Sequence, residues 1–115
     1  MDLFFQSKRI IERQTTNFKG VAEDLQTILD CLGISYTTSE HGTEFAIVKE
    51  NLLYGLNDLE NLDEYGATDN YDVDVDTLQD TMDNINMTYP MLIEVFRDMY
   101  DHSEPNVDMV YVEFF

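Results

Sequence analysis

Basic residues are what this sequence has least of. Six Lys and Arg stand against 24 Asp and Glu among 115 residues, a formal net charge of −18. Nucleic-acid binders neutralise phosphates with Lys and Arg, so direct binding to DNA or RNA is disfavoured by charge repulsion. Docking to an anionic membrane surface is disfavoured by the same sign. No apolar run approaches the roughly 18 residues that span a bilayer. Met1-Asp2-Leu3-Phe4-Phe5 lacks the basic lead and long apolar stretch of a signal peptide. A single cysteine, Cys31, leaves no internal disulfide, which fits a reducing cytoplasm. Gly-rich phosphate loops, Ser elbows and Cys-x-x-Cys pairs are also missing, which leaves little support for an enzyme or a cofactor.

What is present is enough for a folded domain. Hydrophobic residues make up 43% and aromatic residues 12%, with seven Phe, seven Tyr and six Met, unlike the composition of an acidic disordered tail. The length corresponds to one domain over residues 1–115. The charge within it is uneven. Residues 1–20 carry four bases against two acids, whereas residues 21–115 carry 22 acids against Lys49 and Arg97 alone, a net of −20. From Glu50 to Phe96 inclusive there are 12 acids and no base. Acids at that density repel one another and oppose compaction.

Hydrophobic periodicity divides the chain. Phe4, Phe5, Ile10, Ile11 and Phe18, interleaved with bases, predict a mildly basic helical segment over residues 1–19. Val21, Leu25, Ile28 and Leu32 form one helical stripe, which Gly33 stops. Strand formers on either side of Glu40-His41-Gly42-Thr43 predict a β-hairpin over residues 34–48. Leu52, Leu56 and Leu59 predict a helix over 50–65, weakened by Gly55, and Gly66 to Asn70 read as a loop. The alternation Asp72-Val73-Asp74-Val75-Asp76 predicts a short strand or an extended lead-in. Asp76 then suits a helix N-cap, with Gln79 in capping-box spacing. Leu78, Met82 and Ile85 line the helix that follows. Thr88-Tyr89-Pro90 opens another, whose buried face is Leu92, Val95, Phe96 and Met99. Residues 107–115 end the chain as a strand with apolar residues on both faces, implying cover on both. The expected class is α+β, four to five helices around a small antiparallel sheet made of the 34–48 hairpin and the 107–115 strand.

Two of these helices share a pattern. Asp76, Asp80 and Asp83 stand at i, i+4 and i+7, as do Glu94, Asp98 and Asp101, so each trio falls within roughly 60° of arc. Asp72, Asp74 and Asp76 add a third row if extended, and Asp69 precedes it. Successive carboxylates along a helix row are roughly 5–6 Å apart, so rows on neighbouring elements approximate lines of phosphates. An ordinary solvated face mixes both signs and gains from i,i+4 pairs; these rows offer like-charge pairs.

In this acidity, and in the stretch Asp69-Asn70-Tyr71-Asp72-Val73-Asp74-Val75-Asp76 through Asp83, the chain resembles the small acidic phage-encoded DNA mimics, the anti-CRISPR and anti-restriction inhibitors. The resemblance is one of class and carries no residue role over by position. It implies a non-enzymatic inhibitor, acting in a bacterial cytoplasm, that occupies the nucleic-acid site of a basic protein or nucleoprotein complex such as a nuclease or CRISPR effector. The partner-binding residues expected on the acidic rows are Asp69, Asp72, Asp74, Asp76, Asp80, Asp83, Glu94, Asp98 and Asp101.

Other classes compete with this reading. An immunity protein for a nuclease toxin would also use an acidic surface, and an acidic adaptor has no discriminating feature. Asp72, Asp74, Asp76, Asp80 and Asp83 occupy positions 1, 3, 5, 9 and 12 of an EF-hand loop, but Thr77 replaces the Gly of the sharp turn and Asp83 the bidentate Glu. No metal or cofactor is therefore expected. His41 and His102 have no ligand spacing, and His102 suits a helix C-terminus. Cys31 reads as a packing residue. Tyr54, Tyr65, Tyr71 and Tyr89, set among acids, are either core edges with a wet hydroxyl or interface anchors. The sequence does not specify the oligomeric state.

Overall fold

A computed structural model describes residues 18–114 in full, together with the backbone of two strands, β1 (Leu3–Ser7) and β2 (Glu12–Thr15). The described residues form one α+β domain. The remaining elements run α1 (Ala22–Cys31), β3 (Tyr36–Thr38), β4 (Glu44–Val48), α2 (Lys49–Tyr65), α3 (Val75–Asn84), α4 (Tyr89–Asp101) and β5 (Met109–Phe114). The strands form one antiparallel sheet in the order β2-β1-β5-β4-β3, with the chain's last strand between two hairpins.

The expected N-terminal helix is overturned. Residues 3–7 and 12–15 are strands, with Leu3, Phe4 and Phe5 registered against Phe114, Glu113 and Val112. The other side of β5 is occupied by β4, so this edge would otherwise present unpaired backbone groups. Pairing with that edge satisfies them and outweighs a helical pattern resting on few apolar positions.

The 34–48 hairpin forms: its second strand has the expected bounds, Glu44–Val48, and its first is shorter than expected, Tyr36–Thr38. In β5, Val110, Val112 and Phe114 point into the core on alternate positions, while Tyr111 on the opposite face is exposed. On that opposite face Glu113 is buried, so the expected cover on both faces holds at Glu113 and fails at Tyr111. The aromatic rings Phe18, Phe114, Phe45 and Tyr36 run through the core in series, the first two contacts edge to face and the Phe45–Tyr36 contact tilted, with centroids 6.2, 6.0 and 5.8 Å apart in turn.

The helical stripes are buried as their spacing predicts, apart from Ile85, which is half-buried. Leu25, Ile28, Leu52, Leu59, Leu78, Met82, Leu92, Phe96 and Met99 are all fully enclosed. Val21 departs from its stripe: it caps α1 from outside and is exposed. Gly33 stops α1 as predicted, taking the left-handed conformation with φ of 68° just after Leu32. Gly55 does not interrupt α2. A Cβ there would lie 2.5 Å from Ile34 Cδ1, so the missing side chain is what lets the helix settle against Ile34. No helix among the described residues is long and apolar enough to cross a membrane.

Candidate functional site

Chain segment 66–84 and its surroundings hold the unmixed acidic surface. The segment leaves α2 at Gly66, crosses in a loop and enters α3. Asp69, Asp72, Asp74, Asp76, Asp80 and Asp83 are all exposed. No Lys or Arg occurs anywhere between Glu50 and Phe96.

The start of α3 differs from the expectation in a way that matters for the site. Asp74, not Asp76, is the N-cap: its Oδ1 accepts the Thr77 N–H at 3.2 Å. Both aspartates fit the cap pattern. The choice falls on Asp74 because its own N–H donates to the Cys31 carbonyl at 3.0 Å, holding it outside the helix at the end of α1. Residues 72–74 are thus a lead-in rather than a strand, and Asp76 lies in the first helical turn. The hydrogen bonds from Thr77 hold the Asp74 carboxyl below the usual carboxylate range. One of the six carboxylates is therefore committed to capping. Asp83 is also engaged, since its Oδ1 accepts the Gln79 side-chain amide at 2.9 Å.

The α4 trio is less uniform. Glu94 and Asp101 are exposed, but Asp98 is half-buried. Glu94 lines an open cleft of about 390 Å³ with Phe18, Met91 and the base Lys19. Arg97, on the same helix, pairs with Glu60 of α2. His102 caps the helix C-terminus, as its position suggests, and donates from Nδ1 to the Asp98 carbonyl at 2.9 Å. Packing separates the two rows: α3 rests mainly on α1 and α4 mainly on α2. The link between them is at the α3–α4 turn, where burial first and the Asp83 charge second push the Tyr89 hydroxyl pKa up.

Several groups at the site escape the helical pattern. Asp30, at the end of α1, accepts the Tyr36 hydroxyl at 2.8 Å. Burial, and then the charges of Asp74 and Asp30, raise the Cys31 thiol. Asp58 is buried on α2, and its two oxygens accept Thr68 Oγ1 at 3.0 Å and Asn70 Nδ2 at 3.1 Å. An i,i+4 spacing rule cannot find it, because its partners come from the following loop. Of the tyrosines set among acids, Tyr89 is half-buried while Tyr54, Tyr65 and Tyr71 are exposed.

The EF-hand alternative meets a geometric obstacle, since α3 begins at Val75, inside the would-be ligand loop. Among the described residues no group of three or more His, Cys, Asp or Glu side chains is placed to hold a metal ion. Electrostatics dominate what this surface can do: residues 18–114 carry 22 acids against Lys19, Lys49 and Arg97. Lys49 is turned inward, donating to the Glu104 carbonyl at 3.1 Å with its ammonium 5.1 Å from the Tyr100 ring centroid. No protein-family model, curated protein or solved structure matches this chain.

Proposed function

We propose that this protein is a non-enzymatic inhibitor that occupies the nucleic-acid-binding site of a basic protein by presenting carboxylates in place of phosphates. The observation that carries the reading is the run of six exposed aspartates from Asp69 to Asp83, in a stretch of sequence without a single Lys or Arg. A solubility surface has no need to keep like charges at i,i+4 spacing, where they cost stability. A groove that grips DNA with Lys and Arg is complementary to such a surface, and long-range attraction speeds the encounter. The target class, taken from the resemblance to phage-encoded DNA mimics, is a bacterial nuclease or nucleoprotein complex of a defence system.

The test is capture from a bacterial lysate on the immobilised chain at ~0.1 M salt, followed by elution with duplex DNA or at ~1 M salt, where the screening length falls from about 10 to about 3 Å. The expected result is one nucleic-acid-binding protein released by either eluant and not captured by the Asp76→Lys, Asp80→Lys, Asp83→Lys variant. A captured protein that stays bound at high salt, or that holds the chain and DNA together without competition, refutes mimicry.

A further inference from the structure

The three most exposed aromatic rings among the described residues, Tyr54, Tyr65 and Tyr71, are 62%, 72% and 100% exposed. They border one patch. Tyr54 and Tyr65 are eleven residues apart on α2, so at about 100° per residue they return to within about 20° of each other, separated by about 16 Å along the axis. Asp58 lies between them, about 40° round from Tyr54. Although it sits on this outer stripe it is only 7% exposed, because the chain leaving α2 folds back over it. Thr68 and Asn70 donate to its two oxygens, and Asn70 Oδ1 accepts the Asp72 N–H at 3.0 Å. Tyr71 therefore directly follows the residue that ties the loop to α2, and the Asp72 N–H closes a turn around it onto Asn70. Exposed Glu50 lies about 40° round from Tyr54 on the same helix, and exposed Asp69 and Asp72 flank Tyr71 in the loop.

Bare tyrosines grouped on one surface mark a binding site more often than chance exposure does. On a basic protein these rings would suggest stacking of nucleic-acid bases. Here the surrounding charge repels a phosphate backbone, and a second copy of the chain would bring the same excess of negative charge. A cation with a flat, weakly hydrated face satisfies both features at once, and among side chains that is the arginine guanidinium rather than the strongly hydrated lysine ammonium.

We propose that the Tyr54, Tyr65 and Tyr71 patch around Asp58 is the anchoring surface for an arginine-presenting protein, whose guanidinium groups stack on the tyrosine rings between flanking carboxylates. This rests on the mimicry reading for the basic character of the partner. It adds the partner's residue chemistry and moves the specific contact from the α3 row to the α2 face.

Two synthetic peptides of equal length and charge, an Arg-Gly repeat and a Lys-Gly repeat, test it when titrated into the full chain at ~0.1 M salt. Two ring contacts at roughly two- to fivefold each predict an Arg preference of roughly tenfold. In the Tyr54→Ala, Tyr65→Ala, Tyr71→Ala variant the preference disappears, while affinity for the Lys peptide stays within about twofold. The corresponding triple Phe variant keeps the preference, because the ring face is retained. Equal affinity for the two peptides, or an Arg preference that survives in the Ala variant, overturns the anchor and leaves mimicry standing. If neither peptide binds, the charge complementarity beneath both readings is refuted.

Discussion

Replacing Asp58 with Ala tests whether the acidic loop is held in place or merely happens to be near α2. The side chain accepts two hydrogen bonds from residues ten and twelve positions away, Thr68 at 3.0 Å and Asn70 at 3.1 Å. Hydrogen bonds to a charged group contribute roughly 1.5–3 kcal/mol each where water cannot replace them. Here Thr68 is half-buried and Asn70 exposed, so both donors recover water when the carboxylate is removed. Removing the buried carboxylate also relieves its desolvation. The loss expected is therefore well below the sum, about 1–2 kcal/mol, which lowers the Tm of a domain this size by roughly 4–10 °C. Asp58→Asn separates the two contacts. It keeps an acceptor for Thr68 but turns an amide towards the Asn70 amide. Asn70 cannot flip to accommodate it without giving up the Asp72 N–H. The Asn variant should fall between wild type and Ala. Thermal unfolding followed by circular dichroism gives the magnitude, and amide exchange across residues 68–73 gives the location. A Tm unchanged on Asp58→Ala, with loop amides as protected as before, would show that the clamp does not hold the loop.

Three further outcomes follow from the titratable groups. The Cys31 thiol, buried and raised by Asp74 and Asp30, should react with iodoacetamide slowly in the native protein at neutral pH and promptly in denaturant; rapid native labelling refutes its inert placement. Burial foremost, then the hydrogen bond to Asp30 and that group's charge, push the Tyr36 hydroxyl up to about 12, against a small opposing contact from Gln26. Its contribution to stability is complete below the ordinary tyrosine value and is lost as pH rises towards 12, so a tyrosinate titration should contain a late component that Tyr36→Phe removes. Asp74, whose folded value is depressed, stabilises α3 above the ordinary carboxylate range and ceases to do so as pH falls through that lower value. Amides of residues 75–84 should lose protection on acidification, and Asp74→Asn should flatten that dependence; an α3 indifferent to pH in both proteins refutes the cap's role.

Helix positions were readable because a 3.6-residue period needs only local information. Leu25, Ile28 and Leu32, or Leu92, Val95, Phe96 and Met99, face one way whatever they pack against, and they are buried. The hairpin was readable from its turn chemistry. Strands β1 and β2 were not, because β1 pairs with a strand about a hundred positions away and β2 in turn pairs with β1. Nor was the start of α3, where two aspartates satisfy the same cap rule and the Cys31 carbonyl decides between them.

The acidic rows show the same division. Their composition, and the lack of bases from Glu50 to Phe96, are properties of the sequence and no fold could alter them. Exposure of the α3 row follows from helical periodicity with almost as little freedom. Tertiary structure decided what each carboxylate is free to do. Asp74 is spent on a cap, Asp98 is half-buried, Glu94 shares a cleft with Lys19, and Asp58 is enclosed by a loop that exposes Tyr71. Charge is additive along a chain and can be counted residue by residue, whereas burial and hydrogen bonding are relations between distant residues and exist only once the chain has folded.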